Sequence, residues 1–323
     1  MRRKQKRSQL KNFINLFEII SLLFIFTLFY YIDTPVSTKK NIYIPSNSDI
    51  IAHLQKKGFD VGVVDRLILK LFQEPKPGWV YIGKNNLPRL EFLNIIGSKK
   101  GRYKTIKLIP GETTEVFLAQ LARELDLNQT KLKEEFLKQS RYKEAGIIAD
   151  SYNIPLDFKE KKVINYLVNI TDKKYSSLAK KYSLPYPSKE WEKILIVASI
   201  IQKEAANKKE MPLVGSVIYN RLKKRMRLQM DGTLNYGKYS HIKVTPKRIK
   251  EDNSTYNTYK HRGLPKYPVC NVSISAITAA INPAKTNYLY FVKSGKAHTF
   301  SSTYKKHIKN IKKRKEELKR TKQ

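Results

Sequence analysis

One glutamate, Glu204, ends an apolar helical pattern and is the residue best suited to chemistry in this chain. The run from Ser188 to Glu204 predicts a helix, and at about 100° per residue Val197, Ile201 and Glu204 share its apolar stripe. A carboxyl group on a buried face loses hydration, which raises its pKa toward the range that a general acid needs near neutral pH. The alternative is that Glu204 only ends the helix and meets a cation or solvent there.

Polar and aromatic side chains cluster in the loops that follow Glu204. Such side chains supply hydrogen bonds to hydroxyl and acetamide groups and flat faces for sugar rings, so they predict a carbohydrate site. The candidate substrate-binding residues are Gln229, Asp231, Thr233, Tyr236, Tyr256, Asn257, Tyr259 and His298. Each has a structural alternative: turn hydrogen bonds for Asn and Thr, half-buried packing for the tyrosines, and a hydrogen-bonded strand position for the histidine.

The sequence carries no signature of other common chemistries. It contains no nucleophile elbow, no phosphate-binding loop and no His/Cys spacing typical of a metal site, so neither a metal nor a cofactor is predicted. Its single cysteine, Cys270, excludes an intramolecular disulfide.

The elements that must position these residues predict an α+β protein. Strand patterns occur at 41–45, 79–82, 105–109, 288–292 and 298–300, and helical patterns at 61–72, 113–125, 188–204 and 213–224. The first strands and helices predict a small strand–helix–helix–strand unit. Residues 226–283 are rich in Gly, Pro, Asn, Thr and Tyr, which predicts a long functional loop segment. The basic tail from residue 305 to 323 predicts a helix that frays into solvent.

The N-terminus predicts a membrane anchor. Residues 1–12 are rich in Lys and Arg, and residues 13–32 form an apolar stretch close to the ~20 residues that span a bilayer. The basic flank should stay in the cytoplasm, leaving the chain after Asp33 outside, where 33–40 would be a polar linker. A cleaved signal peptide is the alternative, but no small-residue cleavage site follows the stretch.

The charge balance favours anionic partners. The chain has 64 Lys and Arg against 27 Asp and Glu, a formal net charge of +37, which suits nucleic acid, anionic lipid or an anionic cell-wall polymer. A solvated lysine-rich surface without a specific partner is the alternative. No zinc-finger spacing or RNA-binding aromatic motif accompanies the charge, so a membrane-tethered nucleic-acid binder is disfavoured and no nucleic-acid partner is predicted.

Several linked motifs resemble one enzyme family. They run from about residue 41 to 310, most densely from 194 to 303. They are Ala198-Ser-Ile-Ile-Gln-Lys-Glu204, Asn220-Arg-Leu, Arg227-Leu-Gln-Met-Asp-Gly-Thr, Tyr256-Asn-Thr-Tyr, Gly263-Leu-Pro, the run from Asn282 to Val292, and His298-Thr-Phe-Ser301. Together they resemble the endolytic murein transglycosylase (MltG, YceG-like) family.

The resemblance implies a periplasmic enzyme, held in the inner membrane by one span, that cuts nascent peptidoglycan strands internally. It implies a LysM-like subdomain within residues 33–102 and a catalytic region at 103–323, with its core at 188–303 and its catalytic glutamate at Glu204. Peptidoglycan synthases of the elongation or division machinery are the implied protein partners. The alternative is a non-catalytic cell-wall-binding protein of the same fold.

The sequence departs from the family pattern at three places near the site. The stretch that begins at Glu144 resembles the family's Glu-Gly…Pro-Asp-Thr-Tyr, with Ala149 where proline is usual. Asn271-Val-Ser replaces an expected Asn-Pro-Gly. Gln202 stands where many relatives have a second glutamate, which leaves Glu204 as the acid.

In the lytic reaction that the resemblance implies, one carboxyl group serves first as acid and then as base. A hydrolase would normally use two carboxyl groups, and Asp231 is the nearby candidate for the second. Because the transition state is positively charged, neutral Gln229, Asn257 and tyrosine side chains suit the site better than cations do.

Overall fold

The computed structural model describes residues 2–38, 41–45, 49–72, 75, 78–98, 103–156 and 158–320. Helices and small two-stranded sheets alternate along the described residues, which confirms the predicted α+β class. The chain divides into two compact units, Met1–Tyr103 and Lys104–Gln323.

A long helix, α1 (Arg2–Asp33), opens the first unit. Its part from Asn12 to Asp33 is strongly apolar, and its apolar core is not buried by the rest of the chain. In length and composition α1 is able to cross a membrane, as expected for residues 13–32.

Within the residues that the structure describes, the rest of the small unit combines four short strands with three helices. In chain order they are β1 (Pro35–Ser37), β2 (Asn41–Ile44), α2 (Ile50–Lys56), α3 (Val63–Phe72), β3 (Gly78–Tyr81), β4 (Asn86–Pro88) and α4 (Arg89–Ser98). β2 pairs antiparallel with β3, and α2 and α3 lie between these two strands in the sequence. The predicted strand–helix–helix–strand order is therefore confirmed.

The expected polar linker after α1 is wrong in part, because β1 pairs antiparallel with β4. Val36 faces Leu87 across this pair, and its side chain is fully buried. One valine between a proline and a serine is too short a pattern to predict a strand, and only the pairing reveals it.

The larger unit is mainly helical. Its elements are β5 (Tyr103–Lys107), α5 (Thr114–Leu125), α6 (Gln129–Gln139), β6 (Ser151–Pro155), α7 (Glu160–Lys181), α8 (Lys189–Glu204), α9 (Met211–Lys223), α10 (Pro246–Glu251), α11 (Ile274–Ile281), β7 (Tyr290–Ser294), β8 (Ala297–Ser301) and α12 (Tyr304–Arg320). Two 3-10 turns, Asp231–Leu234 and Gly237–Tyr239, lie between α9 and α10.

Helix α8 is the centre of the larger unit. The Ser188 hydroxyl accepts a hydrogen bond from the backbone N–H of Trp191, which caps the helix where the sequence predicts its start. The side chains from Ile194 to Ile201 are buried between α9 and α11. Because both helices pack on it, α8 has a fixed position, which also fixes the position of its last residue, Glu204.

The segment 226–283 contains two helices, α10 and α11, that the loop prediction did not include. Ser273 caps α11 by accepting from the N–H of Ala276, and its hydroxyl also donates to Gln202 of α8 over 2.7 Å. The stretch after Ser273 is short and flanked by Gly, Pro and Asn, so its packing against α8 decides its structure.

The tail helix α12 does not simply extend into solvent. β7 and β8 form the predicted hairpin, and the start of α12 packs against both strands. The Tyr290 ring of β7 lies 5.1 Å from the His307 ring and 5.9 Å from the Tyr304 ring, between centroids. These aromatic contacts hold the first turns of α12 in place.

Candidate active site

Glu204 lies at the end of α8 with its carboxyl group held by one backbone donor. The N–H of Gly232, in the 3-10 turn Asp231–Leu234, donates to Oε1 of Glu204 over 2.7 Å. The neighbouring Lys203 points away, and its Nζ lies 3.2 Å from the Ser240 hydroxyl. The nearest lysine in sequence therefore does not neutralise Glu204.

The surroundings of Glu204 favour its neutral form. Burial raises the pKa of this carboxyl group to about 7, and the negative charge of Asp231 acts in the same direction. The Gly232 hydrogen bond and the positive charge of Arg221 oppose this rise. At neutral pH both protonation states are therefore populated, so this carboxyl group can give up a proton and take one back.

Gly232 leaves no room for a side chain. A Cβ atom at this position would lie 2.6 Å from Cβ of Lys203 and 2.8 Å from Oε1 of Glu204. Both distances are shorter than real Cβ contacts, so any other residue would push the turn and the carboxyl group apart. The glycine is required by this close approach.

A cavity of about 310 Å³ opens beside Glu204. Four of the predicted site residues line it together: Glu204, Gln229, Asp231 and Tyr259. The Tyr259 hydroxyl donates to Oδ1 of Asp231 over 2.6 Å, and burial together with this carboxylate raises the Tyr259 pKa. The result is a pocket with one part-neutral acid, one amide and one oriented carboxylate–phenol pair.

Two predicted residues, Thr233 and Asn257, are fully buried instead, and among the described residues neither lines the cavity. The Thr233 hydroxyl donates to the Met230 carbonyl over 2.8 Å. The Asn257 amide donates to the carbonyls of Ile249 and Asp252 and accepts from the N–H of Tyr259. Both side chains hold the loop that carries the site, which is the structural alternative for these residue types.

Tyr236 and Tyr256 form a stacked pair away from the Glu204 cavity, with ring centroids 4.2 Å apart. Tyr236 lines a separate open groove of about 380 Å³ with Arg248 and Asp252. Its hydroxyl donates to Oδ2 of Asp252 over 3.2 Å. Tyr236 therefore belongs to a second concave surface of the larger unit, and Tyr256 stacks on it.

His298 is held by an ion-pairing partner. Its Nδ1 lies 2.8 Å from Oε2 of Glu210, and its backbone N–H donates to Oε1 over 2.7 Å. Burial alone would raise the Glu210 pKa, but the hydrogen bonds from His298 outweigh it and lower that pKa. This geometry fixes β8 to the start of α9, as in the structural alternative for this histidine.

The sequence reasoning did not select the other seven residues that line the cavity: Arg221, Leu228, Met230, Tyr290, Phe291, Tyr304 and His307. Burial and the charge of Arg221 lower the pKa of His307, so this ring favours its neutral form. Neither Tyr304 nor His307 carries a signal of its own, because they belong to a basic tail. Their contact with Tyr290 exists only in the folded hairpin.

The expectation that the site holds no cation is wrong, because Arg221 lines the cavity. Its guanidinium donates to the carbonyl oxygens of Leu289 over 2.7 Å and Leu228 over 2.5 Å. The Cζ atom of the Arg221 guanidinium lies 5.3 Å from the centre of the Tyr290 ring. Main-chain carbonyls and an aromatic face therefore compensate this charge, which lets a buried arginine line the cavity.

The described residues contain no group of three or more His, Cys, Asp or Glu side chains that could hold a metal ion. Among the side chains that line the cavity, the carboxyl group of Glu204 is the best suited to acid–base chemistry.

Known proteins resemble the chain over most of its length. The model of the YceG-like family matches residues 43–313. An endolytic murein transglycosylase of Bacillus subtilis (strain 168) is 33% identical over 215 residues, covering 64% of this chain and 58% of that protein. Another, of Streptococcus pneumoniae (strain ATCC BAA-255 / R6), is 28% identical over 288 residues, covering 82% of this chain and 48% of that protein.

A solved structure has the same fold. The crystal structure of a YceG-like protein from Listeria monocytogenes matches with a TM-score of 0.54 at 25% sequence identity, over 84% of this chain and 99% of that one. The chain spans 58% and 48% of the lengths of the two transglycosylases.

Proposed function

We propose that this chain, which belongs to the YceG-like family, is an endolytic peptidoglycan lytic transglycosylase with Glu204 as its acid and base. The observation that carries the proposal is the Glu204 carboxyl group, with a pKa of about 7, in a cavity that also presents Gln229, Asp231 and Tyr259. The names of the bacterial relatives agree with this activity.

In the first step, neutral Glu204 would protonate the oxygen between N-acetylmuramate and N-acetylglucosamine within a glycan strand. The glycosidic bond would break and leave positive charge at the anomeric carbon. In the second step, ionised Glu204 would take the proton from the 6-hydroxyl of the same muramate. That oxygen would bond to the anomeric carbon, giving a 1,6-anhydro end and restoring neutral Glu204. Such cuts would end the elongation of the strand.

Other groups in the cavity would support these steps without taking the proton. The Gly232 N–H fixes the direction of the Glu204 carboxyl group. The negative charge of Asp231, held by the Tyr259 hydroxyl, favours the neutral form of Glu204 and suits the positive transition state. Tyr290 and Tyr304 offer aromatic faces for the sugar rings.

The setting of the enzyme is part of the same proposal. Helix α1 would cross the inner membrane once, with the basic N-terminus in the cytoplasm and the catalytic region on the periplasmic side. The strand–helix–helix–strand order of the small unit supports a LysM-like subdomain that contacts glycan. Peptidoglycan synthases as partners stay a prediction from the family resemblance.

The test uses the full chain purified in detergent, beside its Glu204→Gln variant. Each protein is incubated with uncrosslinked glycan strands, and the new ends are identified by mass spectrometry. Anhydro-muramate ends made only by the wild type would support the proposal. Reducing ends would make the protein a hydrolase and direct attention to Asp231. Binding without cleavage would favour a non-catalytic cell-wall protein of the same fold.

A further inference from the structure

Helix α3 of the small unit exposes a line of apolar side chains. Four of them are 40–83% exposed: Val63, Val64, Leu67 and Leu71. Three follow the i, i+4, i+8 spacing and lie along one side of the helix, while Ile68 and Leu69 face the core of the unit. Contiguous apolar surface of this kind marks an interaction site. We call these four residues the α3 stripe.

A buried polar network fixes α3 to the end of α1. The Tyr31 hydroxyl, in the last turns of α1, donates to Oδ2 of Asp65 over 2.8 Å. Arg89 donates to the same oxygen over 3.0 Å, and its guanidinium lies 4.4 Å from the centre of the Tyr31 ring. Asp65 and Arg89 are 0% and 4% exposed. Since Asp65 belongs to α3 and Arg89 begins α4, the end of α1 has a fixed position against both helices.

Helix α4 also packs beside the last turns of α1. An open groove of about 880 Å³ lies between the two, lined by Phe26, Phe29 and Tyr30 of α1 and by Leu90 and Asn94 of α4. Phe26 lies seven residues before the end of α1, which is about 10 Å along the helix axis. Side chains of α4 therefore lie level with the apolar part of α1. Interfacial helices sink to a comparable depth, about 5–10 Å, at the boundary of headgroups and acyl chains.

We propose that the α3 stripe is a membrane-binding surface that lies in the headgroup region of the bilayer crossed by α1. This inference rests on the proposed membrane anchor. The lipid bilayer is the favoured occupant because α3 packs on α4, α4 lies beside the apolar part of α1, and Tyr31 joins α1 to α3 directly. Lys70 is exposed next to Leu71, where its ammonium group can reach anionic phospholipid headgroups. Two attachments, α1 through the bilayer and α3 on its surface, then hold the small unit against the membrane.

The test places a fluorescent label on the stripe. Leu67→Cys and Leu71→Cys variants of the full chain are labelled with an environment-sensitive nitrobenzoxadiazole and reconstituted into phosphatidylethanolamine–phosphatidylglycerol vesicles. The native cysteine, Cys270, is fully buried and should take up little label. Wild-type chain treated in parallel measures this background labelling. Lys133→Cys, on the exposed face of α6, is the aqueous reference, and Leu22→Cys, within α1, is the bilayer reference. Quenching by spin-labelled lipid is then compared among the four positions.

Lipid quenching at Leu67 and Leu71 that is several-fold stronger than at Lys133 is expected. Quenching at Leu22 alone, with Leu67 and Leu71 as accessible to water as Lys133, would overturn the inference and leave the anchor standing. Labels on the stripe that are shielded from water but not quenched by lipid would mean that a protein covers it, which also overturns the inference. Absence of quenching even at Leu22 would reject the anchor and the stripe together.

Glycan cleavage by each labelled chain is measured separately, so that the two proposals cannot be confused. Cleavage without quenching at the stripe would count against this inference alone. Quenching at the stripe without cleavage would count against the proposed enzyme activity alone.

Discussion

The backbone N–H of Gly232 lies 2.7 Å from Oε1 of Glu204, at a position where a Cβ atom would lie 2.8 Å from the same oxygen. The donor can approach the acid only because residue 232 has no side chain. The orientation of the Glu204 carboxyl group therefore depends on a second segment of the chain, the turn after α9, as well as on the end of α8.

Gly232→Ala is expected to lower kcat/KM by roughly 100-fold, because a shift of the acid by about 1 Å misaligns proton transfer. The loss of the Gly232 hydrogen bond, which lowers the Glu204 pKa, should also move the alkaline limb of the pH profile upward. Gly62→Ala is the control, since open space surrounds that glycine. Equal activity of both variants with wild type would show that the close approach is unimportant.

Cleavage is expected to decline as the pH rises through about 7, because the first step requires protonated Glu204. The carboxylate that acts as base is generated within each turnover, so Glu204 causes no matching decline at lower pH. Initial rates across the pH range, with glycan binding measured separately, check this. An activity that keeps increasing well above this pH would contradict Glu204 as the acid.

Asp231→Asn should keep the anhydro product and move the alkaline limb of the profile to lower pH, the opposite direction to Gly232→Ala. The physical reason is that the negative charge of Asp231 raises the Glu204 pKa. Rates and end-group analysis on the same samples provide the measurement. A change from anhydro to reducing ends would show instead that Asp231 selects the attacking group.

Replacing Glu144 by Gln should change the pH dependence of stability. Burial raises the pKa of Glu144 to about 7, although hydrogen bonds from Thr114 at the start of α5 oppose the rise. Because the folded chain favours the neutral Glu144 carboxyl group, this group stabilises the fold at pH values below its ordinary pKa of 4.5. That stabilisation is lost as the pH rises from 4.5 through about 7. The loss is up to about 3 kcal/mol. Thermal unfolding on both sides of this window should therefore show a smaller pH effect in Glu144→Gln than in wild type. Identical pH effects would contradict this account.

His307→Ala should raise KM several-fold with a smaller effect on kcat, because His307 lines the cavity but does not contact Glu204 through any hydrogen bond found among the described residues. Lys312→Ala, at an exposed position of the same helix, is the matched control and should behave like wild type. Steady-state kinetics separate the two constants. If both variants match the wild type, His307 has no part in substrate binding.

Periodicity was sufficient to predict α8 and the raised pKa of its last carboxyl group, because a helix of sixteen residues repeats its apolar face several times. It was insufficient for β1 and α11, whose patterns are too short and whose partners are distant in sequence. Composition led to the prediction of a carbohydrate site in the loops after Glu204, and three of the residues chosen there, Gln229, Asp231 and Tyr259, line the cavity.

Composition could not separate side chains that face a cavity from those that hold a loop together. Asn257 and Thr233 are of the residue types that bind sugars, but the same groups satisfy main-chain hydrogen bonds in a buried turn. The side of the cavity formed by Tyr290, Tyr304 and His307 depends on a helix packing against a hairpin, a tertiary contact with no local pattern.

The position of α12 in the chain sets an order of events during synthesis. Glu204, Asp231 and Tyr259 are all translated before Tyr304 and His307, so a growing chain can hold the acid and its turn while one side of the cavity is still missing. A chain arrested before α12 would carry the acid without the complete pocket. The pocket beside Glu204 would thus stay incomplete until the segment that contains α12 has been synthesised and has packed against the β7–β8 hairpin.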